Sequence, residues 1–381
     1  MHTLPSDDGL DASVSSRTNW GLTSNRTSKM SMCRPKIWKY LSITLSFALA
    51  AQLLAGAFSR RFDPLAYVMS VHQRIHWKNL DELARTSNDT NESINGTETS
   101  AQEGTQDSNL LSKEKPLCPP VPPYLVGRLA INRTVPPLEE QERAHPELEP
   151  GGRYRPGYCR ARHRVAIVIP YRDRAQHLSV FLFHMHPVLQ RQQLDYDIYI
   201  VEQAGTGKFN RAMLMNVGAL ESLKQYPYDC YIFHDIDLLP EDDRNLYTCP
   251  EQPRHMSIAV DTLNYRLPYE NIFGGVSALT VDQFKQVNGF SNSFWGWGGE
   301  DDDMSHRIRY YGFFLSRYPA HIGRYTMLSH KKDAPNPERY EKLYNGEKRF
   351  KTDGINSIKY KVLDIQLRRL YTWVHVELYP S

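Results

Sequence analysis

Between Arg164 and Asp235, short β-branched runs alternate with helix-length segments, and this alternation constrains the fold more than any other feature. Val165-Ala166-Ile167-Val168-Ile169 stops at Pro170, Asp197-Ile198-Tyr199-Ile200-Val201 follows, and Cys230-Tyr231-Ile232-Phe233-His234-Asp235 is the third run. Each is nearly continuous in apolar residues, the pattern of a strand covered on both faces. His177 to Gln190 and Asn210 to Gln225 carry apolar residues at helical spacing. Strand and helix recur about every 30 residues, which predicts an α/β fold with a mainly parallel central sheet. Ligands of such sheets bind beyond the carboxyl ends of the strands. Pro170-Tyr171-Arg172-Asp173-Arg174 and His234-Asp235-Ile236-Asp237 both fall there.

The sequence before this unit is of a different kind. Residues 1–39 are polar, Ser/Thr-rich and basic toward their end, and read as a cytosolic tail. Residues 40–59 are uncharged and mostly apolar, long enough to cross a bilayer as one helix, with the basic flank on the N-terminal side. This predicts a single-pass type II anchor; a cleaved signal peptide and a buried helix are the competing readings. Residues 60–115 read as a luminal stalk, with glycosylation sequons at Asn88, Asn91 and Asn95, and a further one at Asn132 in the domain that follows. Residues 116–381 form the expected globular domain, opening with a Pro- and Gly-rich stretch. Cys118, Cys159, Cys230 and Cys249 all follow the expected anchor, so they lie where disulfides form. Spacing favours pairing between sequence neighbours and leaves the other pairings open. A formal net charge of +3 over 381 residues gives no charge argument for nucleic acid.

Two motifs carry chemistry. Asp235-x-Asp237 ends an apolar strand, and paired carboxylates there suit a hard cation that neutralises a diphosphate. The same motif also occurs in phosphotransferases. Phe294-Trp295-Gly296-Trp297-Gly298-Gly299-Glu300-Asp301-Asp302-Asp303 sets two indoles among glycines and before four acids. Indole faces stack on sugar rings, carboxylates bind hydroxyls, and glycine lets the backbone approach closely. An acidic helix N-terminus beside a buried Trp pair is the plainer reading. Arg172 and Arg174 suit phosphate, Phe209-Asn210-Arg211 offers an aromatic, an amide and a guanidinium, and Asn210 is equally a helix N-cap. Met327 and His330 alone read as packing and a surface histidine.

Taken in order, Pro170-Tyr171-Arg172-Asp173-Arg174, Phe209-Asn210-Arg211, Asp235-Ile236-Asp237, Phe273-Gly274-Gly275-Val276-Ser277 and the Trp-Gly-Trp-Gly-Gly-Glu-Asp-Asp-Asp run resemble the β-1,4-galactosyltransferase family across 116–381. The resemblance implies a GT-A fold, the disulfides Cys118–Cys159 and Cys230–Cys249, and Golgi residence with the catalytic domain luminal. It implies inverting transfer from a UDP-sugar to the 4-hydroxyl of terminal N-acetylglucosamine (GlcNAc), with Mn²⁺. By motif, Asp237, Met327 and His330 would hold the metal. Pro170, Tyr171, Arg172, Arg174, Phe209, Asn210, Arg211, Asp235, Ile236, Trp297, Lys331 and Lys332 would line the donor. Gly298, Gly299, Glu300, Asp301, Arg339 and Tyr269 would meet the acceptor, with Asp301 the general base and Asp302 and Asp303 structural. The polar stretch from Leu328 to Glu347 resembles the family's mobile loop.

One position departs from the galactose-using pattern. Where those members typically carry Tyr-x-x-Tyr, this chain reads Tyr269-Glu270-Asn271-Ile272. Ile272 in place of a phenol gives room and an apolar neighbour to an N-acetyl group, which points to UDP-GalNAc as donor. UDP-Gal is the alternative donor. A catalytically silent GlcNAc-binding lectin and a metal-dependent phosphotransferase are alternatives from other classes.

Overall fold

The computed structural model describes residues 114–331 and 334–380. The expected tail, anchor and most of the stalk, with Asn88, Asn91 and Asn95, lie outside the described residues, as does Lys332. Among the described residues no helix is long and apolar enough to cross a membrane. Asn132 is exposed.

In chain order the elements are helix α1 (Leu138–Ala144), β1 (Arg164–Tyr171), α2 (Ala175–Arg191), β2 (Asp195–Gln203), α3 (Arg211–Gln225), β3 (Cys230–His234), β4 (Leu238–Pro240), β5 (Arg254–His255), β6 (Ala259–Val260), β7 (Val276–Thr280), α4 (Val281–Gln286), α5 (Glu300–Tyr310), β8 (Arg324–Met327), α6 (Arg339–Tyr344), β9 (Lys359–Leu367) and β10 (Thr372–Tyr379). The three strands and two helices expected from the alternation are all present: β1, α2 and β2 are longer by a few residues, α3 starts one residue later and β3 ends one residue earlier.

Seven strands form one sheet in the order β5-β7-β3-β1-β2-β10-β9. The expectation of a mainly parallel sheet is corrected: the sheet is mixed. Its centre, β3-β1-β2-β10, is parallel, and both flanks are antiparallel. The physical reason is connection length. Only four residues join β9 to β10, and so short a link can join only antiparallel neighbours. On the other flank β7 runs back along β3 without a covering crossover helix.

Two apolar layers clamp the sheet. Ile167, Ile169, Ile198 and Ile200 pack against α2 through Phe181, Leu182 and Met185. Ala166, Val168, Tyr199 and Val201 pack against α3 through Leu214, Met215 and Val217 on the other face. Each central strand buries both sets of its alternating side chains, which is why the runs read as continuous. A second, three-stranded sheet, β4-β8-β6, sits at the carboxyl end of β3 and pairs Leu238 with Met327. The cysteines are joined as Cys118–Cys159 and Cys230–Cys249, the pairs that the resemblance implies.

Candidate active site

The site grows from the end of β3. After His234 the chain turns outward, and Asp235 donates its backbone amide to the Gly275 carbonyl at 3.2 Å. Asp235 and Asp237 remain partly open, while Ile236 between them is 8% exposed and packs into the core. Arg211, the first residue of α3, ties this strand end to the acidic run. Its Nε donates to Asp235 Oδ1 at 2.6 Å, its Nη1 to Glu300 Oε1 at 3.3 Å and its Nη2 to the Gly275 carbonyl at 3.4 Å. Burial opposes its charge, but the Asp235 and Glu300 carboxylates hold the guanidinium pKa above its ordinary value.

Pairing of β4 with β8 brings Met327 beside this turn, and the Leu328 amide donates to the Asp237 carbonyl at 2.7 Å. His330 Nε2 lies 2.9 Å from Asp237 Oδ2. Arg174 Nη2 approaches His330 Nδ1 at 3.3 Å. Burial and the neighbouring Asp235 carboxylate push Asp237 up to about 6. Among the described residues no group of three or more His, Cys, Asp or Glu side chains forms a metal cluster. The Met327 thioether, which accepts from Thr262 Oγ1 at 3.5 Å, is the third candidate donor, so with Asp237 and His330 the set would offer oxygen, nitrogen and sulfur. A carboxyl raised by burial and a like-charged neighbour is stabilised by an added cation, so these residues fit a divalent metal.

The Arg172 guanidinium lies 5.2 Å from the Phe209 ring centroid and donates to the Gly207 carbonyl at 2.8 Å. Other residues expected to line the donor turn elsewhere. Pro170 is buried, and Tyr171 lines a cavity of about 350 Å³ with Ile200, Glu202 and Trp373. Asn210 is fully buried, caps α3 by accepting from the Met213 amide at 2.9 Å, and donates to the Asn292 carbonyl at 2.9 Å. Lys331 is exposed.

The acidic run opens α5, where four carboxylates in the first turn are favoured by the helix dipole. Gly296, Gly298 and Gly299 all have φ between 90° and 99°, a backbone that other residues rarely adopt. This path leaves Trp297 59% exposed while Phe294 stays buried beneath Gly299. Trp297 pairs with Pro335, and its carbonyl accepts from the Asn336 amide at 2.9 Å. The segment expected as a loop therefore packs on the Trp-Gly run and holds the short helix α6. Arg339, at the start of α6, lies against Gly298 and places its guanidinium 5.9 Å from the Trp297 ring centroid.

The four acids differ. Glu300 is buried, and that burial raises its pKa while Arg211 draws it down. Asp301 is pushed up to about 7, first by burial and then by the Glu300 and Asp302 carboxylates. Asp302 accepts from the Tyr269 hydroxyl at 2.7 Å. Asp303 is fully buried against Arg307 at 2.7 Å.

Two features carried no role in the sequence. Gly274 is the seat of Asp301: a Cβ there would collide with Asp301 Oδ2. Asp302 holds Tyr269 instead of serving only the fold. The two glycines of Phe273-Gly274-Gly275 were the available signal for the first. Nothing local signalled the second. Ile272 is half-buried, closes a turn on the Tyr269 carbonyl at 3.4 Å, and precedes the Gly274 seat by two residues.

Residues 118–250 match the family described as the N-terminal region of glycosyl transferase group 7. Residues 254–331 match the one described as the N-terminal domain of galactosyltransferase. β-1,4-Galactosyltransferase 1 of Mus musculus is 48% identical over 267 residues, covering 69% of this chain and 67% of that protein. β-1,4-Galactosyltransferase 2 of Cricetulus griseus is 50% identical over 268 residues, covering 69% and 73%. A solved Drosophila β-1,4-galactosyltransferase 7 variant, in complex with manganese, UDP-Gal and xylobiose, aligns with a TM-score of 0.50 and 30% identity, covering 57% of this chain and 95% of that one. The mixed-sheet α/β fold is accordingly GT-A-like. With the motifs in order and both matched regions within one domain, the chain belongs to the β-1,4-galactosyltransferase family.

Proposed function

We propose that this protein is an inverting, Mn²⁺-dependent glycosyltransferase that moves GalNAc from UDP-GalNAc to the 4-hydroxyl of a terminal GlcNAc, giving GalNAcβ1-4GlcNAc on a glycoprotein or glycolipid. It acts as a single-pass type II Golgi membrane protein, with its catalytic domain luminal and Asn88, Asn91, Asn95 and Asn132 as glycan acceptors. The observation that carries the chemistry is Asp301: a carboxyl pushed up to about 7, seated on Gly274 near the Arg211–Asp235 pair and the exposed Trp297. A base poised near neutral pH takes a hydroxyl proton efficiently.

In this reading Arg172, Phe209 and Arg211 hold UDP, and Trp297 covers the donor sugar. Glu300, Tyr269, Arg339 and the open backbone at Gly298 and Gly299 orient the acceptor. The 4-hydroxyl oxygen attacks the anomeric carbon as its proton passes to Asp301. The bond from that carbon to the diphosphate breaks, UDP leaves with the electron pair, and one in-line displacement turns an α-linked donor into a β-linked product. Asp237, His330 and Met327 would hold Mn²⁺, whose charge offsets that of the departing diphosphate.

The donor assignment rests on Ile272. A second reading, transfer from UDP-Gal, is favoured by the names of the relatives and by the UDP-Gal bound to the Drosophila protein. Initial rates with both donors on a GlcNAc glycoside separate the two. We expect UDP-GalNAc to be preferred and Ile272→Tyr to reverse the preference; a UDP-Gal preference untouched by that substitution ends the GalNAc reading.

A further inference from the structure

Arg317 belongs to none of the motifs above, yet it reaches the segment that carries three of their residues. It is half-buried, and its Nη2 donates to the Glu270 carbonyl at 2.7 Å and the Ile272 carbonyl at 3.0 Å. Its Nε faces His255 Nδ1 at 3.2 Å. His255 is 1% exposed, and its Nε2 lies 3.0 Å from the Gly274 carbonyl, which also accepts from Ser257 Oγ at 3.2 Å. Burial and the adjacent Arg317 hold the His255 pKa down at about 3, so the ring is neutral. A neutral imidazole has one donor and one acceptor nitrogen. Only the tautomer with the proton on Nε2 serves both neighbours: Nδ1 accepts from Arg317 and Nε2 donates to Gly274.

One guanidinium and one imidazole thus hold the carbonyls of residues 270, 272 and 274. Among the described residues neither the Glu270 nor the Ile272 carbonyl accepts from a backbone amide. This stretch begins at Tyr269, which Asp302 holds, and ends at Gly274, on which Asp301 sits. Ile272 lies between the two fixed ends, so the direction of its side chain is set by carbonyls that Arg317 holds. Arg317 serves the two carbonyls through Nη2 and His255 through Nε, a planar spread over separate nitrogens that the single ammonium of lysine cannot reproduce.

We propose that Arg317, partly through His255, is a positioning residue for donor choice: it fixes the pose in which Ile272 meets the substituent on C2 of the donor sugar. This rests on the donor reading given above.

The test uses the full chain in detergent with Mn²⁺. Donor preference is read as the ratio of kcat/KM for UDP-GalNAc and UDP-Gal, alongside UDP affinity and thermal midpoint. Arg317→Met is expected to shift the ratio about fivefold or more, because discrimination between donors that differ in one substituent rests on close contact with that substituent. Arg317→Lys should shift it less, and UDP affinity should hold in both, since Arg172 and Phe209 lie elsewhere. A role confined to stability would lower the thermal midpoint and scale both donors alike, and that result overturns the proposal. Ile272→Tyr runs in parallel. If it moves the ratio and neither Arg317 variant does, the clamp falls alone; if none of the three moves it, the donor reading falls and the clamp with it. Should Arg317→Met fail to fold, His255→Gln tests the other arm, and an unchanged ratio there together with an unchanged ratio in Arg317→Lys is equally fatal.

Discussion

The two sides of the site are built by opposite means. The side proposed to hold the donor hangs from the carboxyl end of β3 and the start of α3, both rooted in the core. The charges of Arg211 and Asp235 are met inside the protein at 2.6 Å. The side proposed for the acceptor is a glycine-rich path at Gly298 and Gly299; Trp297, proposed to cover the donor, stands 59% exposed at its start, and Asn336 and Arg339 back the path from a distant segment. There Asp301 keeps its charge uncompensated enough to rise to about 7. Neutralised charge gives a fixed cradle, while an uncompensated carboxyl gives a reactive one. The difference teaches where substitutions should alter binding and where they should alter chemistry.

The sharpest break is Asp301→Asn. It should lower kcat by about 10²–10⁴ and leave UDP affinity within twofold, as loss of a general base alone would. Full activity in this variant would remove the acceptor side from the chemistry; retained glycan binding without turnover in the unaltered protein would favour a lectin. On the other side, EDTA or Asp237→Asn should bring transfer near background and weaken UDP binding together, with Mn²⁺ restoring only the EDTA-treated protein. UDP binding indifferent to chelation would dissociate Asp237, Met327 and His330 from the metal.

A smaller effect tests the seat. Gly274→Ala should displace Asp301 and reduce kcat about 10- to 100-fold, in line with the sensitivity of reacting geometry to shifts of about 1 Å, without change in UDP affinity. Parallel loss of UDP binding would mean that the two sides are not separable. The mildest is pH. A carboxyl accepts a proton only when ionised, so a base whose pKa is about 7 is increasingly lost as pH falls below that value. The acceptor kcat/KM should therefore rise toward a plateau through about pH 7 and drop about tenfold per unit well below it. A flat profile between about pH 5.5 and 8 would show that Asp301 does not carry the proton.

Much of the core was legible because β1, β2 and β3 bury both faces and so read as unbroken apolar runs. The flanks were not. β9 is mostly exposed, and its direction is fixed by the short link to β10 and not by its own composition. Within the site, Asp235, Asp237 and the Trp-Gly run announced themselves by placement and unusual company. Met327 and His330 did not: only the pairing of β8 with β4 brings residues so far apart in sequence to Asp237. Residues inside a motif were harder to divide than the motif was to find. Tyr171, Asn210 and Ile236 sit among site residues in sequence, yet the end of a strand buried on both faces, the cap of a helix and the turn after β3 put their side chains into the core. The carbonyl contacts of Arg317 join segments that share no pattern, so no periodicity could disclose them.

The disulfide Cys230–Cys249 starts at the first residue of the strand whose far end carries Asp235 and Asp237. The partners are 19 positions apart in sequence, and a closed loop of this size is worth roughly 3 kcal/mol against the unfolded chain. Asp235 and Asp237 are therefore mounted on an element whose anchorage depends on the oxidation state of its surroundings. Made in reducing surroundings, the chain would lack that staple at the foot of the strand that leads to this turn. Oxidising surroundings during folding supply the condition that forms the staple and keeps the turn in place.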